Sequence, residues 1–225
     1  MQKTKKMNTK KLSVMAMMCA LAFICVLLFR FEVGGFLTFD IKDAVLTIAS
    51  LIYGPLAGLI CSFVVTFLEF VLVSDTYIYG FIMNFLSSAV LSVVAGAIYK
   101  YRRSMTGAIV GVILAVFSVT AVMMVANLFI TPLFLNMTRA DVAKMILPLL
   151  LPFNVVKAVF NGSLVLIAYK PFTVALRKAK LLISDEKSTY RFNFKSVLLT
   201  VIALIVLVAA LLFLFLEMGG SIDLF

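Results

Sequence analysis

Polar and apolar residues in this chain come in blocks. Mostly apolar stretches cover about residues 12–29, 44–73, 79–98, 106–134, 146–169 and 196–216. A helix needs about 20 apolar residues to cross a bilayer, so each block predicts at least one membrane span. The second block is too long for one ordinary span and carries Gly54-Pro55 at its middle, in "YGPLAG". Glycine followed by proline ends one helix and starts another, which makes this block two short helices or one kinked helix.

Charge decides between them. Of the 20 basic residues, fifteen fall in three clusters: Lys3, Lys5, Lys6, Lys10 and Lys11; Lys100, Arg102 and Arg103; and Lys170, Arg177, Lys178, Lys180, Lys187, Arg191 and Lys195. Basic residues flanking membrane spans favour the cytoplasmic side. Two helices in 44–73 put all three clusters on that side, whereas one helix would strand the middle cluster outside. The expected order is therefore seven spans, with the N-terminus cytoplasmic and the C-terminus outside. The segments 30–43, 74–79 and 135–146 are external and hold Arg30, Lys42, Arg139 and Lys144; Lys157 alone lies within a span. Residues 1–180 form one membrane core, 181–195 a polar cytoplasmic linker, and 196–225 an extra span with an external tail.

Composition agrees. The chain is 64% hydrophobic and 13% charged, with a mean hydropathy of +1.18, far from a soluble domain. The net charge of +10 resides in loops beside spans, where it reads as orientation rather than nucleic-acid binding. Leu12 to Phe29 is long for a leader and "FRFEVGG" offers no small-residue cleavage site, so it reads as a retained span. Cys19, Cys25 and Cys61 fall in apolar spans without CxxC spacing and read as packing residues.

Catalytic chemistry is poorly provided for. There is no histidine, which excludes Ser-His catalysis, HExxH zinc sites and histidine proton relays, and no GxxxxGK[ST] for ATP. What remains is a set of polar groups near the outer ends of the spans: Glu69, Asn84, Asn127, Asn154 and Lys157. Asn154 and Lys157, at i and i+3, share one helix face. Each amide alone could be helix–helix glue, and Glu69 could pair with Lys157. Together they fit a polar ring in an apolar, aromatic cavity, the usual build of a small-molecule site. The segment "EVGGFLTFDIKD" is expected to dip back and cap that cavity, since irregular backbone at membrane depth must be buried in protein or line a cavity.

Four stretches carry a resemblance: "FLTFDIKDAVLTIASLIYGPLAG" (36–58), "GFIMNFLSS" (80–88), "NLFITP" (127–132) and "LPFNVVKAVFNG" (151–162). Over about residues 10–180 the chain resembles the riboflavin-specific substrate-binding (S) components of energy-coupling factor (ECF) vitamin transporters. That resemblance implies an all-α membrane protein with a six-helix core, to which this chain adds a seventh helix. It implies riboflavin as transported ligand rather than cofactor, captured from outside the cell. Transport would be powered by a separate module of two ATPases and a membrane coupling subunit. By position, Asn127, Asn154 and Lys157 match flavin hydrogen-bonding residues, and Thr38, Phe39 and Asp40 match the loop over the ligand; Asn84 and Glu69 are carried over more loosely. Ala16 and Ala20 match the AxxxA pattern that meets the coupling subunit, small residues allowing close helix approach. Three other readings stay open: another vitamin or FMN on the same fold, a non-transporting membrane interaction protein, and a secondary transporter needing coupling-ion carboxylates.

Overall fold

The structure, a computed structural model, describes residues 9–33, 35–73, 76–181 and, beyond these, 201, 202, 205, 206, 208, 209 and 212. Helix α1 (Thr9–Phe29) leads into a hairpin of two short strands, β1 (Phe31–Val33) and β2 (Leu37–Phe39). Helices α2 (Lys42–Tyr53), α3 (Pro55–Leu72), α4 (Tyr77–Tyr101), α5 (Met105–Leu135) and α6 (Arg139–Met145) follow. A π-helical turn (Ile146–Leu150) then joins α6 to α7 (Leu151–Lys178). Among the described residues, α1, α3, α4, α5 and the continuous stretch Arg139–Lys178 are long and apolar enough to cross a membrane.

The break expected at Gly54-Pro55 is present. Gly54 has φ of +93°, a conformation that costs little only without a side chain, and Pro55 occupies the first turn of α3. Helix α2 is short, with 12 residues, or about 18 Å at 1.5 Å per residue. Nine of those residues are buried, and α2 packs against α1, α3, α4 and α7. It is the hub of the bundle.

Packing follows membrane rules. Large apolar side chains such as Leu28, Leu56 and Phe117 face outward, while alanines at 22, 49, 57, 95, 108 and 115 are buried between helices. Small residues let backbones come close where the bilayer supplies no hydrophobic drive between helices. At Gly111 a Cβ would lie 2.9 Å from the Ala95 carbonyl oxygen, so α4 and α5 touch through bare backbone there. The π turn coincides with Pro148, whose missing N–H interrupts the regular ladder, and Pro152 opens α7.

The bundle is helical, as the sequence reading expects; two details differ. The segment between α1 and α2 holds a hairpin, in which β1 and β2 pair antiparallel, with Phe31 opposite Phe39 and Val33 opposite Leu37. Alternation over three-residue strands is too brief a pattern to register in a chain of long apolar blocks. Lys42, placed outside by the sequence reading, is fully buried in the first turn of α2. The seventh span, 196–216, lies mostly outside the described residues.

Candidate functional site

The start of α2 explains how charge comes to be buried here. The first N–H groups of a helix have no partner within it. In α2, Asp40 Oδ1 accepts from Lys42 N at 3.2 Å, and Asn161 Oδ1 on α7 accepts from Ala44 N at 2.9 Å. Asn161 also donates to the Asp40 carbonyl at 3.0 Å. Thus α7 holds the N-terminus of α2 and the residue before it. Asn161 escaped the sequence reading although it continues the face of Asn154 and Lys157 at i+7 and i+4.

Around this cap lies a closed polar ring. Lys157 Nζ donates to the Thr38 carbonyl at 2.8 Å and lies 2.9 Å from Asp40 Oδ2. Asp40 Oδ2 is 2.6 Å from Lys42 Nζ, which is 3.2 Å from Glu69 Oε2. Glu69 Oε1 accepts from Asn84 Nδ2 at 3.1 Å, and Asn84 Oδ1 accepts from the Thr38 hydroxyl at 3.5 Å. The ring therefore returns to Thr38, linking the hairpin to α2, α3, α4 and α7. Asp43, also buried, accepts from the Ser87 and Ser88 hydroxyls of α4. The alternative Glu69–Lys157 pair is not formed: Lys42 takes Glu69, and Asp40 takes Lys157. Asp43 adds a second carboxylate within a core helix, α2.

Asp40, in the loop before α2, is the most heavily bonded carboxylate. Burial works against its ionised form. The ammonium groups of Lys157 and Lys42 outweigh that effect and hold its carboxyl well below the usual carboxylate range.

One cavity opens beside the ring, between the hairpin, α4, α5 and α7. Of the predicted residues, Thr38, Asn84, Asn127, Asn154 and Lys157 line it. Phe36, Tyr79, Phe134 and Phe153 supply aromatic wall, and Ser87 and Thr131 add hydroxyls. Sequence reasoning did not single out these six, because aromatic and hydroxyl residues recur throughout the spans. Phe39, Asp40 and Glu69 do not line the cavity. Phe39 is buried against Phe31, Phe153 and Phe160, anchoring the hairpin to α7, with ring centroids 4.9–6.4 Å apart. The expected cap is thus formed by Phe36, Leu37 and Thr38, while Phe39 and Asp40 fasten it from behind.

Two amides are already turned by their own helices. Asn127 Nδ2 donates to Met123 O at 2.7 Å and its Oδ1 accepts from Thr131 at 2.8 Å. Asn154 Nδ2 donates to Leu150 O at 2.7 Å. Each keeps one N–H that these bonds do not use, and Asn154 keeps its carbonyl oxygen as well. The site can therefore offer amide and ammonium groups to a flat polar ligand between aromatic walls. Ala16 and Ala20 lie elsewhere, exposed on the outer face of α1.

A membrane bundle with a capped, polar-rimmed, aromatic-walled cavity is the build of a binding component. The family described as "ECF transporter, substrate-specific component" matches residues 10–169, and the chain belongs to it. It is a multi-pass membrane protein that works within a larger transporter, and it is not an enzyme. Among its relatives, the riboflavin transporter RibU of Staphylococcus aureus (strain TCH60) is 28% identical over 186 residues, covering 79% of this chain and 97% of that protein. The riboflavin transporter FmnP of Bacillus subtilis (strain 168) is 28% identical over 188 residues, covering 77% and 98%. The solved S component of a bacterial ECF transporter shares 27% identity and a TM-score of 0.65, over 76% of this chain and 99% of that one.

Proposed function

We propose that the protein captures riboflavin from outside the cell and hands it to an ECF energising module. The observation that carries this reading is the convergence of Thr38, Asn84, Asn127, Asn154 and Lys157 on one aromatic-walled cavity, in a chain whose relatives are named riboflavin transporters. The isoalloxazine edge carries carbonyls and ring nitrogens that amide and ammonium donors satisfy, and a buried polar edge left unpaired would cost several kcal/mol, on the order of 2–7. Asn127, Asn154 and Lys157 are the assigned flavin contacts, with Thr38 and Asn84 beside them. The purified protein should quench riboflavin fluorescence on binding and carry the yellow ligand with it. Vesicles holding only this protein should bind riboflavin without concentrating it, because the chain has no P-loop to use ATP. Concentrative uptake by the protein alone would overturn the division of labour, and binding of another vitamin in place of riboflavin would overturn the ligand.

The partner in this reading has two ATPases and a membrane coupling subunit that meets α1. Ala16 and Ala20 are exposed one turn apart on the side of α1 away from the buried Val14, Met18 and Ala22. Replacing both with leucine should impair uptake in cells with the complete transporter and leave riboflavin affinity unchanged. Weakened binding in that variant would place the face at the pocket instead.

The same reading puts the N-terminus and residues 99–105 and 170–195 in the cytoplasm, with a seventh span, 196–216, taking the C-terminus outside. A membrane-impermeant thiol reagent applied to intact cells should label Ala140→Cys and Ile222→Cys but spare Arg102→Cys. Labelling at 102 would overturn the reading of 44–73 as two spans.

A further inference from the structure

Lys42 occupies the middle of the polar ring and touches nothing in the cavity. Its ammonium is fully buried and lies between two carboxylates, Asp40 at 2.6 Å and Glu69 at 3.2 Å. Each carboxylate in turn holds a side chain that does line the cavity. Asp40 holds Lys157 at 2.9 Å, and Glu69 accepts from Asn84 at 3.1 Å. One cation thus stands behind two recognition groups on different helices, α7 and α4. Among the described residues no other ammonium or guanidinium pairs with Glu69.

The chemistry of a carboxylate makes this arrangement directional. An ionised carboxylate only accepts hydrogen bonds, so Asn84 must turn its NH2 towards Glu69 and its carbonyl oxygen towards the Thr38 hydroxyl. Lys42 gives both carboxylates a counter-charge at a depth where an unpaired charge is costly.

We infer that Lys42 is a positioning residue for the ligand site: through Glu69 it fixes the Asn84 amide as an acceptor on the α4 wall, and through Asp40 it fixes Lys157 as a donor on the α7 wall. This rests on the riboflavin reading for the identity of the ligand, though not for the relay itself. It assigns a recognition role to a residue that lines no part of the cavity.

The charged groups around Lys42 are Asp40 before α2, Asp43 on α2, Glu69 on α3 and Lys157 on α7, while α4 contributes Asn84, Ser87 and Ser88. In Lys42→Met, Glu69 is left as a buried carboxylate without its counter-charge, so its hold on the Asn84 amide loosens. Riboflavin affinity of Lys42→Met should therefore be roughly ten- to a hundredfold below the parent. In Lys42→Met/Glu69→Gln the glutamine oxygen can accept from Asn84 without a cation, so affinity should recover several-fold relative to Lys42→Met, the remaining loss being the share that runs through Asp40.

A Lys42→Met protein that binds as tightly as the parent would overturn the inference. So would a double variant that folds yet binds a hundredfold more weakly. If Lys42→Met fails to fold, the double variant alone decides by the same criterion. If the parent itself does not bind riboflavin, the ligand reading fails and the melting temperatures decide on Lys42. Lys42→Met should then melt well below the parent, with the double variant recovering part of the difference; equal melting temperatures for all three would sink the relay.

Discussion

Asp40→Asn is expected to cost more stability than any other single conservative change in the ring, about 3–5 kcal/mol. The substitution keeps the shape of the side chain and one carbonyl oxygen. What it removes is the negative charge between Lys42 Nζ at 2.6 Å and Lys157 Nζ at 2.9 Å. Lys42 retains Glu69, but Lys157 loses its charged partner, and the new NH2 group points a donor at a donor. Removing one member of a buried ion pair is far costlier than the pair itself is worth, because the remaining charge cannot return to water. Since the Asp40 carboxyl is held well below the usual carboxylate range, its contribution is fully present at neutral pH and fades only in acid. A useful control is Glu32→Gln on β1. Glu32 is half exposed and 3.8 Å from Arg30, a pair expected to contribute less than about 1 kcal/mol. Thermal unfolding of the two variants in the same detergent should separate them clearly. Equal melting temperatures would mean that the buried ring holds nothing together.

How far the sequence revealed this arrangement can be traced residue by residue. The long apolar blocks and the Gly54-Pro55 break were legible because a membrane span and a positive-φ turn each demand a particular composition. Asn127, Asn154 and Lys157 were legible because amide and charged side chains stand out against hydrocarbon. Lys42, Asp43 and Asn161 were not. The first two border a polar loop, and only the short α2, drawn inward by the hairpin, carries them to the centre of the bundle. Asn161 lies on the same face as Lys157, but its partner is a backbone N–H 117 residues away, which no local pattern encodes. Pairing was likewise out of reach: Glu69 and Lys157 were reasonable partners by depth, yet a third charge at position 42 intervenes. The hairpin escaped notice because three-residue strands take their identity from register and burial rather than from periodicity.

Lys157→Met should lower riboflavin affinity by roughly ten- to over a hundredfold, the effect of losing one charge-assisted hydrogen bond, and should lower the melting temperature as well. Both readouts move because the side chain has two occupations. Its ammonium holds the hairpin through the Thr38 carbonyl at 2.8 Å and pairs with Asp40, and the same side chain lines the cavity. The single variant therefore cannot say whether ligand is lost through a missing donor or through a loosened cap. A second substitution separates the two. In Lys157→Met/Asp40→Asn, position 40 no longer carries a charge that needs Lys157, and Lys42 keeps its pairing with Glu69 at 3.2 Å. Most of the lost stability should return, since a neutral pair in a buried site avoids the cost of an orphaned charge. Affinity should not return, because methionine offers nothing to a flavin carbonyl or ring nitrogen. A double variant that melts close to the parent but binds riboflavin at least tenfold more weakly would fix Lys157 as a ligand donor. A double variant that recovers both would reduce Lys157 to a fastener of the hairpin and leave recognition to Asn127 and Asn154.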